Sequence, residues 1–334
     1  MNEFQGRTKN RLHIYLLIGL LFLIGLFPIL DSNRYHINMG IMVGIFSIVA
    51  IGFNLLLGNT GQISLGQAAF YGIGAYGSAI LTVKAGFSFW TALPCAAIFC
   101  GLIGYILGFT SVRFKGSYLA MATLSFGVIF SIIILEWTPV TGGAGGYPEM
   151  IPRPSIGAFK IDSELKYYYL VWVFLAGVFI FTKNLIKSRI GRALYAIQGN
   201  ETVAGIIGIN PTRYKLKVFT LSAIYAGIAG SLYAHYATYI SEESFTFLFS
   251  VTLLCMVVIG GLGSVWGSVV GTAVLYLLSE IIRYMAKFSV LPQAVRNILA
   301  EYSYLLLAYG LFVAIFIIFL PRGIVGLFRE GERR

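Results

Sequence analysis

The chain has 334 residues, of which 58% are hydrophobic and only 11% charged. So much apolar surface excludes an intrinsically disordered chain, and so little charge excludes an ordinary soluble enzyme, in which about a quarter of residues are charged. The formal net charge of +11 does not point to nucleic acid, because Lys and Arg are spread thinly between apolar runs; it fits a membrane protein with an orientation bias.

A helix that crosses a bilayer needs about 20 apolar residues. The first such run, 12–30, is long enough to span and has no small-residue cleavage site after it, so it reads as a helix and not a cleavable leader. Further spans are predicted at 37–57, 65–83, 90–110, 117–135, 168–186, 216–238 and 303–320. Residues 246–282 are too many for one helix, and Gly260, Gly261 and Gly263 divide them into two passes, which brings the total to about ten. The chain is therefore expected to be a single all-α polytopic membrane domain.

Two connections are long. Residues 136–167 carry TGGAGGYPEMIPRP, whose glycines and prolines predict turns and not another helix. Residues 187–215 include SRIGRALYAIQGNETVAGIIGINPTRYK, where Ala193, Ile197, Val203 and Ile206 recur at the spacing of short amphipathic helices. Gly199, Asn200 and Glu201 read as a break and cap between two such helices, and Pro211 as the stop of the second. With the N-terminus in the cytosol, most Lys and Arg fall on the cytosolic side, including Lys187, Arg189, Arg192, Arg213 and Lys215 of this loop. Loop 136–167 then lies outside, loop 187–215 inside, and both termini are cytosolic.

Enzymatic signatures are missing. No GxxxxGK[ST] phosphate cradle, HExxH or GxSxG occurs, and neither a metal cluster nor a cofactor motif is read. Gly72, Gly74 and Gly77 spell GxGxxG inside an apolar helix, which suits close helix packing; Gly104 and Gly108, and Gly263, Gly267 and Gly271, form similar ridges. Cys95, Cys100 and Cys255 read as inert buried thiols. Glu280 lies three residues before Arg283, the spacing of a local helix-surface pair. His235 sits near an outer helix end, where a structural role outweighs a functional one. Asn54, Gln62, Ser64 and Gln67 crowd one span boundary among glycines. They either line a cavity or frame a gate, since polar groups at membrane depth need burial in protein, or they belong to an ordinary interfacial loop.

GFNLLLGNTGQISLGQAAFYGIGAY at 52–76 closely resembles the permease subunits of branched-chain amino-acid ABC importers, of the LivM type. KGSYLAMATLSFG at 115–127, GGLGSVWGSVVG at 260–271 and LPRGIVGL at 320–327 agree, as does 188–234, so the resemblance covers nearly the whole chain. It implies a permease of a bacterial plasma-membrane importer without its own ATPase. The implied partners are a homologous permease subunit, two ABC ATPase subunits, an external solute-binding protein and membrane lipid, with no nucleic acid. It also implies that loop 187–215 docks on the ATPase, with Gly191, Arg192, Asn200, Glu201, Ala204 and Gly208 in the coupling segment. In the general permease pattern Glu-Ala-Ala precedes a glycine; here Thr202 and Val203 replace the alanines and Gly208 falls one residue late. Branched-chain amino acids are the implied cargo. Urea or short amides, carried by related permeases, are the alternative. An ion-coupled secondary transporter would call for an intramembrane carboxylate, and a membrane enzyme for a nucleophile and base; neither is evident.

Overall fold

The computed structural model describes residues 33–111, 116–156, 159–286, 310 and 323–330. The predicted spans at 12–30 and 303–320 lie outside the described residues. The rest is almost entirely helical: α1 (Arg34–Thr60), α2 (Gln67–Val83), α3 (Phe89–Ser111), α4 (Ser117–Glu136), a single turn α5 (Thr138–Thr141), α6 (Glu164–Lys187), α7 (Arg189–Gly199), α8 (Glu201–Ile206), α9 (Pro211–Ala237), α10 (Phe247–Gly260), α11 (Val265–Ala286) and α12 (Gly323–Glu330). Six helices among the described residues are long and apolar enough to cross a bilayer, and Val265–Ile281 forms a shorter apolar helix.

Helices α1 and α4 are equally apolar, yet 78% of the apolar window of α1 is enclosed against 22% for α4, because neighbouring helices surround the first and few touch the second. Helix α1 packs on α6, α9, α10 and α11, while α9 packs on α1, α2 and α3. These two helices form the centre. Small residues set how closely helices approach. A Cβ on Gly74 would lie 2.3 Å from the Gly227 carbonyl oxygen, and one on Gly271 would lie 2.0 Å from that of Met256. The first contact joins α2 to α9, and the second closes α10 and α11 into a hairpin. Most of the predicted ridge glycines are therefore packing surfaces, but Gly77 meets only an ordinary contact at Ala96, and Gly263 lies in the turn before α11 at φ +75° and not on a helix ridge. On the outside, Ile98, Leu102 and Ile106 of α3 and Met121, Ile129 and Ile132 of α4 are exposed, an apolar belt suited to lipid.

Residues 136–167 depart from the expected run of turns. Besides the helical turn α5 they hold a 3-10 turn at Gly143–Gly145 and two short antiparallel strands, β1 (Ser155–Ile156) and β2 (Phe159–Lys160), paired Ser155 to Lys160 and Ile156 to Phe159. Gly142, Gly143 and Gly146 have positive φ, the conformation that glycine permits. The loop is tied to the end of α9 by bonds from Tyr147 N–H to the Ile240 carbonyl (2.8 Å) and from Ile151 N–H to that of Thr238 (3.0 Å).

Pro211 needs a correction. It does not stop α8, which ends at Ile206; it is the first residue of α9, where its missing N–H costs nothing. Asn210 caps that start by accepting from Arg213 N–H.

Candidate functional site

Two clusters share one end of the bundle. In the first, Ser188 accepts from Ile190 N–H and starts α7. Gly191, Ala193, Leu194 and Ile197 are buried on one face of this helix, and Arg192 and Tyr195 are exposed on the other. The Gly191 approach to α6 is close: a Cβ there would lie 1.8 Å from the Ile186 carbonyl oxygen. The predicted break at 199–201 is present. Asn200 caps α8 by accepting from Thr202 N–H (3.0 Å) and Val203 N–H (3.1 Å). Glu201 instead receives the Lys215 ammonium at 2.6 Å, tying α8 to the first turns of α9. Ala204 is buried. Val203, Ile206 and Ile207 are exposed by 53%, 80% and 66%, an apolar tip on a basic loop. Gly208 ends the segment at φ +86°, a left-handed residue of the kind that closes helices.

The second cluster surrounds Asn54, buried near the end of α1. Its carboxamide nitrogen donates to the Ser264 carbonyl (2.8 Å), the Ser268 hydroxyl (2.8 Å) and the Gly261 carbonyl (3.3 Å). Its oxygen accepts from Gly263 N–H at 2.8 Å. One side chain thus clamps the turn between α10 and α11. Gly58, one turn on, sits so close that a Cβ would lie 2.2 Å from Gly263 N. The Gly58 carbonyl in turn accepts from the Gln198 amide of α7 at 2.5 Å. The two clusters are joined by that bond.

Beyond α1 the chain turns through 61–66 into α2. This corner is stitched to three helices: Leu65 N–H donates to Thr123 of α4 (2.9 Å), Gln67 to Ser222 of α9 (3.1 Å) and Ala68 N–H to Ser250 of α10 (3.0 Å). Gln62 accepts from Thr60 at 3.1 Å. Asn59 Nδ2, Ser64 Oγ and Gln67 Oε1 are buried with no partner, which costs about 1–3 kcal/mol each in a dry site. Asn54, Gln62, Ser64 and Gln67 are thus buried along one stretch in which Gly61 and Ile63 are exposed, and none lines the cavities of about 290 and 130 Å³, although Leu65 and Ala68 of the same corner line the smaller.

Other candidates lie apart from these two clusters. His235 is buried, its Nδ1 2.6 Å from the Pro152 carbonyl and its Nε2 2.9 Å from Ser78 Oγ. The carbonyl can only accept, so Nδ1 carries the proton and Ser78 donates to Nε2. Glu280 accepts from the Tyr35 hydroxyl at 2.5 Å; the Arg283 side chain, its expected partner, lies outside the described residues. Cys100 is buried, but Cys95 is exposed and Cys255 half-buried. The expectation of three buried thiols fails at Cys95 because α3 is packed on one side only. No cluster able to hold a metal occurs among the described residues. Sequence reasoning missed Gln198, Ser264 and Ser268, whose only signal was a polar residue among glycines.

The family model described as branched-chain amino acid transport system / permease component matches residues 35–320. The chain belongs to this family. It is similar to the high-affinity branched-chain amino acid transport system permease protein LivM of Salmonella typhimurium, 34% identical over 82% of this chain and 70% of the relative. The protein of that name from Escherichia coli K12 is 35% identical over the same shares. The LivH permease protein of the Salmonella system is 24% identical over 69% of this chain and 79% of the relative. No solved structure matches. As a member of this family the chain is a permease component of a transport system, and its apolar helices make it a multi-pass membrane protein.

Proposed function

We propose that this permease subunit moves branched-chain, apolar amino acids into the cell across a bacterial plasma membrane. It carries no ATPase of its own and works with two ABC ATPase subunits, an external solute-binding protein and a homologous second permease. That LivM and LivH carry the name of one transport system and both match this chain supports a paired, homologous partner. The termini and loop 187–215 face the cytosol on this reading.

One observation carries the coupling role: the exposed apolar tip Val203, Ile206 and Ile207 stands on a capped, basic segment. Exposed apolar side chains beside charge at an aqueous end mark a protein contact. Closure of the ATPase pair would push α7, and the bond from Gln198 to Gly58 passes that push to the end of α1 and to the turn that Asn54 clamps. Gly191, Arg192, Asn200, Glu201, Ala204 and Gly208 hold the segment's shape and charge. Asn54, Gln62, Ser64 and Gln67 frame the inner gate. The unpartnered Asn59, Ser64 and Gln67 atoms favour a second state in which water or cargo reaches them.

Proteoliposomes holding all components test the reading. Leucine uptake should persist when ion gradients are collapsed and stop when ATP or the ATPase is withheld. Uptake that follows an ion gradient without ATP excludes it; uptake of urea and not leucine moves the cargo to the alternative. No Asp or Glu occurs in α1, α2, α3 or α9, which weighs against ion coupling.

A further inference from the structure

A cavity of about 290 Å³ lies between α1, α2, α9, α10 and α11, toward the end of the bundle away from α7 and α8. Its wall is aromatic. Tyr71 stacks on Phe249 with centroids 4.9 Å apart, Phe46 meets Phe249 at 5.1 Å and Tyr276 at 5.9 Å, and Tyr233 meets Tyr71 at 5.5 Å. Met42 and Met256 fill the gaps. The size is at the lower bound of ligand pockets, about 300 Å³, and suits a single small solute.

Its polar groups are few and unequal. Glu243 and Glu280 line it and no Lys or Arg does, so the cavity favours a cationic group over an anion. Aromatic faces add to that preference. The hydroxyls of Thr252 and Ser279 are spent on carbonyls of their own helices, and that of Tyr233 on Ser244. Tyr71 differs. It is 1% exposed, it lines the cavity, and its hydroxyl has no partner. A buried hydroxyl left alone beside an open cavity is a vacant donor.

We propose that this cavity is a binding site for a zwitterionic α-amino acid with an aliphatic side chain. The ammonium lies toward Glu243 and Glu280, the side chain between Phe46, Phe249 and Met256, and the carboxylate accepts from Tyr71. The site rests on the importer reading for its place on the route, as a stop between the binding protein and the inner gate. Its lining residues supply the preference for a cationic group beside an apolar side chain.

The test uses the assembled transporter in nanodiscs without the binding protein. Cys95, Cys100 and Cys255 are replaced by alanine, and Thr252→Cys places a thiol in the wall. Leucine at millimolar concentration should slow modification of the Thr252→Cys variant by a water-soluble thiol reagent at least fivefold, and glutamate should not. Tyr71→Phe keeps the ring and removes the donor; it should raise the leucine concentration for half-protection about tenfold, the loss expected for a bond to a charged group. Glu243→Gln should raise it severalfold. Equal protection by glutamate, no protection by leucine, or protection unchanged in Tyr71→Phe overturns the site. If protection fails while the same preparation still imports leucine with ATP, the cavity is wrong and the importer reading stands. If protection holds but ATP drives no uptake, the site stands and the importer reading falls.

Discussion

Asn54 uses both ends of its carboxamide on a turn more than 200 residues away in sequence. Such a bond set is expensive to lose, because the Gly263 N–H is left without a partner and the Gly261 and Ser264 carbonyls and the Ser268 hydroxyl each lose a bond. Asn54→Ala should destabilise the purified protein by about 2–4 kcal/mol in detergent unfolding. Asn54→Asp should do little better, since a carboxylate accepts from Gly263 but cannot donate to the carbonyls. Gln62→Ala, whose described bond is only to nearby Thr60, should cost less than about 1 kcal/mol. Equal losses at positions 54 and 62 would show that the clamp contributes nothing special. Sequence alone placed Asn54 among the polar residues of a span boundary. It could not show that its partners come from a glycine turn far along the chain, because side-chain pairing across helices leaves no local periodicity.

At the scale of elements, α7 and α8 are the proposed lever. Their existence was legible from the spacing of Ala193, Ile197, Val203 and Ile206, and their break from the Gly-Asn pair, because amphipathic period and cap chemistry are local. The starts of α6 and α9 were not: both begin some residues before the apolar runs that predicted them, in polar turns capped by Ser163 and Asn210. Hydropathy sees the apolar core of a span and not the polar turns that extend it. The contact of Gln198 with Gly58 was also hidden, as it depends on how α7 folds back under α1. Replacing it tests the lever. Gln198→Ala should leave the ATPase bound to the permease on purification while cutting ATP-driven uptake at least fivefold. The double variant Glu201→Ala with Gly208→Ala, which removes the Lys215 tie and the left-handed closure together, should lose the ATPase or uncouple its hydrolysis from uptake. Normal assembly and normal uptake in both would remove the coupling role from this segment.

At the scale of the whole molecule, the proposed orientation puts most Lys and Arg on one side, and the described helices share one packed centre. On the proposed orientation, a thiol-free chain carrying Glu149→Cys should react with an impermeant maleimide on intact cells, and one carrying Val203→Cys only after the membrane is opened. The reverse pattern would invert the topology. The packed centre has a further consequence, for the order in which the chain is made. Helix α1 emerges early, yet the glycine turn it holds is synthesised some 207–214 residues later. At about 5–20 residues per second, the carboxamide of Asn54 waits on the order of 10–40 s in or beside the bilayer for its partners. During that interval the nascent permease holds a polar group that lipid cannot satisfy, so its first half needs the insertion machinery, water or another helix as a temporary host. The clamp is thus also a completion mark: it closes only on a chain whose α10 and α11 have arrived.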